Sequence, residues 1–184
     1  GVFADLRRRT AELIGYVKSD RGALSAVLTY GMVHAVYPPV VLVLPFYIEE
    51  VLGLGAEEYG YAMALLLLGG GLGAVGYGFL APNERGNTGL LFISLLLLSF
   101  LLAAAGLFPE TPVLFSSLAP AGACLGVVHQ IMTTSLYRRV HPDSRGRVFG
   151  LMESLASAAM PVSYAVSGFV VELFRDALPS FVLL

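Results

Sequence analysis

Glu153 is the one formally charged side chain that falls well inside an apolar run of this chain. A carboxylate there could carry a proton or bind a cation, or it could hydrate from the near end of its helix or pair with an arginine. At 100° per residue it shares a sector of about 80° with Ser157, Met160, Tyr164 and Ser167. Tyr30, His34 and Tyr37 fall within about 60° of one another, with Val41 continuing the stripe. The His34 imidazole is protonatable and could couple proton movement to a bound molecule, or it could be neutral and bonded to a neighbouring helix. Ser116, Gln130 and Thr134 make a third stripe, with small Ala123 between them. His129 shares its face with Gly122, Gly126 and Thr133 and reads as a packing residue. Polar groups at such depth usually face a partner or a water-filled cavity.

Five long apolar runs position these residues: about 24–48, 59–81, 89–108, 113–137 and 148–171, with a sixth beginning at 178 and cut off at 184. Each is long enough, at about 1.5 Å per residue, to cross a ~30 Å hydrocarbon core. If the chain crosses at every run, ten of its eleven Lys and Arg residues fall on one side. These are Arg7, Arg8, Arg9, Lys18, Arg21, Arg85, Arg138, Arg139, Arg145 and Arg147; only Arg175 falls on the other. The basic side is expected to be the cytoplasm, which puts the amino-terminal end of the chain there. The expected fold is an all-α polytopic bundle in the cell membrane, with five full spans and the start of a sixth. Residues 1–23 form a connector. Phe3, Leu6, Leu13, Ile14 and Val17 recur in it near helical spacing among Arg7, Arg8, Arg9 and Glu12, as in a helix lying at the membrane surface. A solvated linker is the alternative.

A hydrophobic content of 57% with 13% charge lies outside the range of soluble domains. The single Cys124 excludes a disulfide within the chain and a cysteine-based zinc site. No zinc-protease, nucleophile-elbow or phosphate-loop motif is present, and no cofactor or metal is expected. The arginines are read as anchors rather than a nucleic-acid surface. Gly69 and Gly73, like Gly122 and Gly126, are spaced for close helix approach. Pro38, Pro39 and Pro45 are expected to kink the first span. The third span is leucine-rich, with Ser94 and Ser99 its polar residues, and is expected to face lipid. Arg145 and Arg147 stand at the start of the fifth span, where the helix dipole disfavours positive charge. They are expected to anchor the topology, or to meet lipid phosphate or an acid. Asp143 or Ser144 could cap that helix.

The connection Pro142-Asp143-Ser144-Arg145-Gly146-Arg147-Val148-Phe149-Gly150-Leu151 resembles the major facilitator superfamily. It is similar in particular to the bacterial branch with enterobactin-exporter-like and macrolide-efflux-like proteins. Leu44-Pro45-Phe46-Tyr47, Val51-Leu52-Gly53-Leu54-Gly55-Ala56 and Tyr59-Gly60 resemble the same branch. The resemblance implies the carboxyl-terminal half of a twelve-helix transporter, with a cavity at mid-membrane lined by the first, fourth and partly the fifth helices of the half. The loop after the second span departs from the family pattern: Pro82 and Asn83 stand where an Asp-Arg pair is common.

The chain opens with Gly1 and stops inside an apolar run, so it is expected to be a piece of a longer protein. The expected function is secondary active, proton-coupled export of small molecules and not enzymatic catalysis. The expected partners are the bilayer, an amino-terminal six-helix half, a small-molecule substrate and protons. The expected cavity residues are Tyr30, His34, Tyr37, Ser116, Gln130, Thr134, Ser157 and Tyr164, with Glu153 and His34 as proton-coupling groups. The rival is a non-transporting membrane interaction module, or the membrane portion of a fused lipid-metabolising protein. Hydrolase chemistry lacks a nucleophile–base pair.

Overall fold

A chain this apolar must satisfy its peptide groups within each segment, and among the described residues every regular element is helical. The structure, a computed structural model, describes residues 15, 19, 24, 30, 31, 40–80, 84–140 and 145–175. Residues 40–46 are α-helical and run into a π-helical turn, Tyr47–Val51. The turn closes with Leu52 N–H donating to the Tyr47 carbonyl at 3.1 Å and Leu54 N–H to the Ile48 carbonyl at 2.9 Å. Gly53 follows with φ of 64°, a left-handed position that an L side chain would strain. Four long helices come next: α1 (Ala56–Leu80), α2 (Glu84–Leu107), α3 (Thr111–Arg139) and α4 (Arg145–Arg175). The start of α1 is held by Glu58 in its first turn, whose carboxylate accepts from the Gly55 N–H at 2.9 Å. Pro109 and Pro112 bracket the tight connection into α3, and the first turn of that helix needs no proline N–H.

Three helical stretches are long and apolar enough to cross a membrane: Ala56–Leu80, Gly86–Leu107 and Thr111–Ser135. The expectation of five full spans and a sixth begun therefore rests partly on segments beyond these three. The first expected span is described only at 24, 30, 31 and 40–48, and 178–184 lie outside the described residues. Helix α4 has 31 residues, which at about 1.5 Å each exceeds a ~30 Å core. Of the expected surface helix over 3–17, only residue 15 is described, and it is helical. Pro38, Pro39, Asp143 and Ser144 lie outside the described residues.

The contacts divide the chain into two compact units, Val43–Ile131 and Gly1–Leu42 with Met132–Leu184. In the first unit, α1 and α3 meet backbone to backbone. A Cβ placed on Gly69 would lie 2.1 Å from the Ala119 carbonyl oxygen, and one on Gly73 would lie 2.1 Å from that of Ala123. The fit is reciprocal. A Cβ on Gly122 would lie 2.0 Å from the Leu66 carbonyl oxygen, and one on Gly126 would lie 2.0 Å from that of Gly70. Atoms cannot approach so closely, so only glycine permits this spacing. Helix association in lipid has no hydrophobic drive, and close van der Waals contact along small residues takes its place.

Helix α2 packs along one edge only. Its buried residues Asn87, Ser94, Leu98 and Ala105 recur seven, four and seven apart. Phe92, Ile93, Leu96 and Phe100 project outward, more than 60% exposed. A single leucine-rich helix with one packed stripe leaves the rest of its surface for lipid. Two polar contacts tie it down. Buried Tyr77 of α1 donates its hydroxyl proton to Asn87 Oδ1 at 3.0 Å. The Tyr47 hydroxyl donates to the Ala105 carbonyl at 2.5 Å, joining the π-helical turn to the far end of α2. In the second unit the core is Tyr30, Val140, Val148 and Met152, with Leu24, Met132 and Phe149 packed against it.

The seam predicts a sharp contrast between neighbouring glycines. Gly73→Ala places its methyl in the Ala123 backbone and should cost about 1–3 kcal/mol or more. Gly71→Ala meets nothing within 4 Å and should be neutral or slightly stabilising. Thermal unfolding in detergent, followed by helical circular dichroism, checks both; equal midpoints would contradict the backbone contact. The same assay applies to Tyr77→Phe, which leaves the buried Asn87 amide unpaired at a cost of about 1–3 kcal/mol. Combining it with Asn87→Leu should recover part of that loss, because neither polar group is then left alone.

Candidate functional site

Glu153 lies in the second unit. There α4 carries Val148 and Met152 on a buried face, with Phe149 and Glu153 each one residue further round. That rotation brings Glu153 to the margin of the core rather than into it, and its side chain is exposed. The margin is closed by Tyr30. Its ring is 3% exposed within the cluster of Val140, Val148 and Met152. Its hydroxyl donates to Glu153 Oε1 at 2.5 Å, across 123 residues of sequence. A buried ring thus presents a single donor to an exposed carboxylate.

The Tyr30 ring is thus buried in this core, and its hydroxyl meets Glu153. A helical wheel ranks residues by angle but does not say which neighbour occupies that angle. His34 and Tyr37, the rest of the stripe, lie outside the described residues. On α4, Ser157 and Tyr164 are exposed, Met160 is half-buried, and Ser167 is buried with its hydroxyl donating to the Ser163 carbonyl at 2.7 Å. Thr134 on α3 is half-buried. In the first unit, Ser116 is exposed and donates to the Val113 carbonyl at 3.2 Å, while Gln130 is half-buried. His129 is exposed, and Gly122 and Gly126 on the same face are in contact with α1.

Arg145 has partners within the chain. Its guanidinium lies over the Tyr137 ring, 3.8 Å from the centroid, and its Nε donates to the Val140 carbonyl at 3.3 Å. The stabiliser at this helix start is an aromatic face plus a carbonyl just past the end of α3, where positive charge is favoured. Tyr137 also packs against Phe149 at 6.3 Å between ring centroids. These aromatic partners carry no charge or motif, so a search for acids and phosphate sites passes over them. Arg147 is in α4.

The four glycines at 69, 73, 122 and 126 all lie in the α1–α3 seam, together with Gly70, Ala119 and Ala123. Ala123 reads in the sequence as the small member of the Ser116 stripe, whereas its backbone lies against Gly73 in the seam. No cluster of three or more metal-ligating side chains occurs among the described residues.

Comparison with known proteins places this arrangement. The multidrug efflux pump Tap of Mycobacterium tuberculosis (strain ATCC 25618 / H37Rv) is 32% identical over 113 residues, which is 60% of this chain and 26% of that protein. The protein of the same description from Mycobacterium bovis (strain BCG / Pasteur 1173P2) matches to the same extent. That of Mycolicibacterium fortuitum is 27% identical over 111 residues, 60% of this chain and 27% of that protein. The matched stretch spans about a quarter of the length of these relatives. No solved structure matches the chain. The Major Facilitator Superfamily profile matches residues 4–175, nearly the whole sequence. The chain is a multi-pass membrane protein and belongs to the Major Facilitator Superfamily.

Proposed function

We propose that this chain is the carboxyl-terminal half of a secondary active exporter of small molecules, driven by protons, in the cell membrane. Its amino-terminal end and the arginines around 138–147 face the cytoplasm, and an amino-terminal six-helix half completes the transporter. The family membership and the efflux activity named for the relatives support export. The observation that carries the proton step is Glu153, an exposed carboxylate set in an apolar helix and met by one hydroxyl. A carboxylate on an apolar helix can exchange a proton, and doing so removes its charge. Protonation then shifts the balance between inward-open and outward-open states, because the two states treat the charged and neutral forms differently. His34, four residues after Tyr30 in the sequence, is the second proposed proton-coupling group. Tyr37, Ser116, Gln130, Thr134, Ser157 and Tyr164 are proposed to contact substrate.

Glu153→Gln keeps the size of the side chain and removes its titration. In the full-length protein, reconstituted in liposomes under an imposed proton gradient, flux should fall by roughly 5- to 150-fold, the span of a coupling of about 1–3 kcal/mol. The unfolding midpoint should stay near that of the parent protein. Parent-level flux in this variant would remove Glu153 from coupling.

A further inference from the structure

We propose that Tyr30 is the positioning residue for Glu153: its hydroxyl holds the carboxylate in one place and reverses its own hydrogen-bonding role when the proton arrives. This rests on the reading of Glu153 as the coupled carboxylate. The two partners are unequal. The Tyr30 ring is buried on a cluster that draws on both α3 and α4, through Met132, Val140, Val148, Met152 and Phe149. The Glu153 side chain is exposed, and its carboxylate meets the hydroxyl. The buried ring therefore fixes the hydroxyl, and the hydroxyl in turn fixes the carboxylate.

The separation of 2.5 Å lies at the short end of the range for a hydroxyl donating to an ionised carboxylate, about 2.5–2.7 Å. An ionised carboxylate only accepts, so Tyr30 must donate to it. Once protonated, Glu153 has a donor of its own. The pair must then exchange roles, with the tyrosine oxygen accepting, or separate. Either change alters the tie between α4 and the segment carrying Tyr30, which is what a coupling site needs.

Arg145, eight residues earlier on α4, is committed to the Tyr137 ring and the Val140 carbonyl. Tyr137 is turned to that guanidinium and to Phe149. Tyr30 is thus the titratable group that reaches Glu153 among the described residues. His34 and Tyr37 are the other titratable side chains of the same stripe and lie outside them.

Tyr30→Phe keeps the ring in its cluster and deletes the hydroxyl. In the reconstituted full-length protein its flux should fall at least roughly fivefold. The pH of half-maximal flux should move upward, because the lost hydroxyl donated to the ionised form, while the pH dependence itself survives. Glu153→Gln should remove the part of that dependence that Glu153 carries, and the double variant should be no worse than Glu153→Gln alone, as for two groups acting as one unit. Val148→Ala loosens the same cluster without touching the hydroxyl; it should lower the unfolding midpoint and leave the pH of half-maximal flux in place. If Tyr30→Phe does not accumulate, Glu153→Asp withdraws the carboxylate by one methylene and should displace the profile in the same way. A parent pH profile in Tyr30→Phe, or in Glu153→Asp where it must stand in, overturns the proposal and leaves the function of Glu153 untouched. A parent profile in Glu153→Gln overturns both.

Discussion

Hydrocarbon offers a peptide group no hydrogen-bond partner, so each crossing segment must close its own bonds. The described part of this chain accordingly contains helices and short connections. The same rule governs its side chains. Ser99, Ser154 and Ser167 each donate to the carbonyl four residues back in their own helix. Tyr47 donates to a carbonyl of α2, Tyr77 to Asn87 and Tyr30 to Glu153. Three tyrosines thus bridge separate segments, each with an apolar body that packs and one proton to give.

Once the backbone is closed into helices, something other than burial from water must hold the helices together. Between α1 and α3 that role falls to the backbone itself, through the glycine and alanine seam. Such a contact gains dispersion energy over a long line and tolerates no added methyl. Helix α2 contributes less of its surface to packing and leaves its phenylalanines and leucines outward. In the other unit the aliphatic core around Tyr30 leaves room for one charged side chain at its edge.

The helices are legible in the sequence because their apolar runs are long and the turns between them carry Gly, Pro and Asn. The helices extend a few residues past the apolar runs at several ends, as α4 does in starting at Arg145 rather than Val148, since a charged first turn is still helical. Glycine pairs spaced four apart are equally visible. What they touch is not, because nothing in the sequence pairs them with Ala119 and Ala123. The Tyr30–Glu153 contact spans 123 residues, and angular position on two separate helices cannot reveal it. For Arg145 the helix-dipole argument requires a stabiliser, but electrostatics alone does not distinguish an aromatic face from an acid.

The central claim is that these helices thread back and forth through a bilayer, with the arginine-rich connections inside the cell. It is tested most directly by single cysteines in place of Glu57, at the start of α1, and of exposed Arg138, at the end of α3. Both are placed in the full-length protein with Cys124 replaced by serine, and intact cells are treated with a membrane-impermeant maleimide. The account predicts that the cysteine at 57 is labelled from outside and that the one at 138 is labelled only after the cells are opened. Labelling of both from the same side would contradict it.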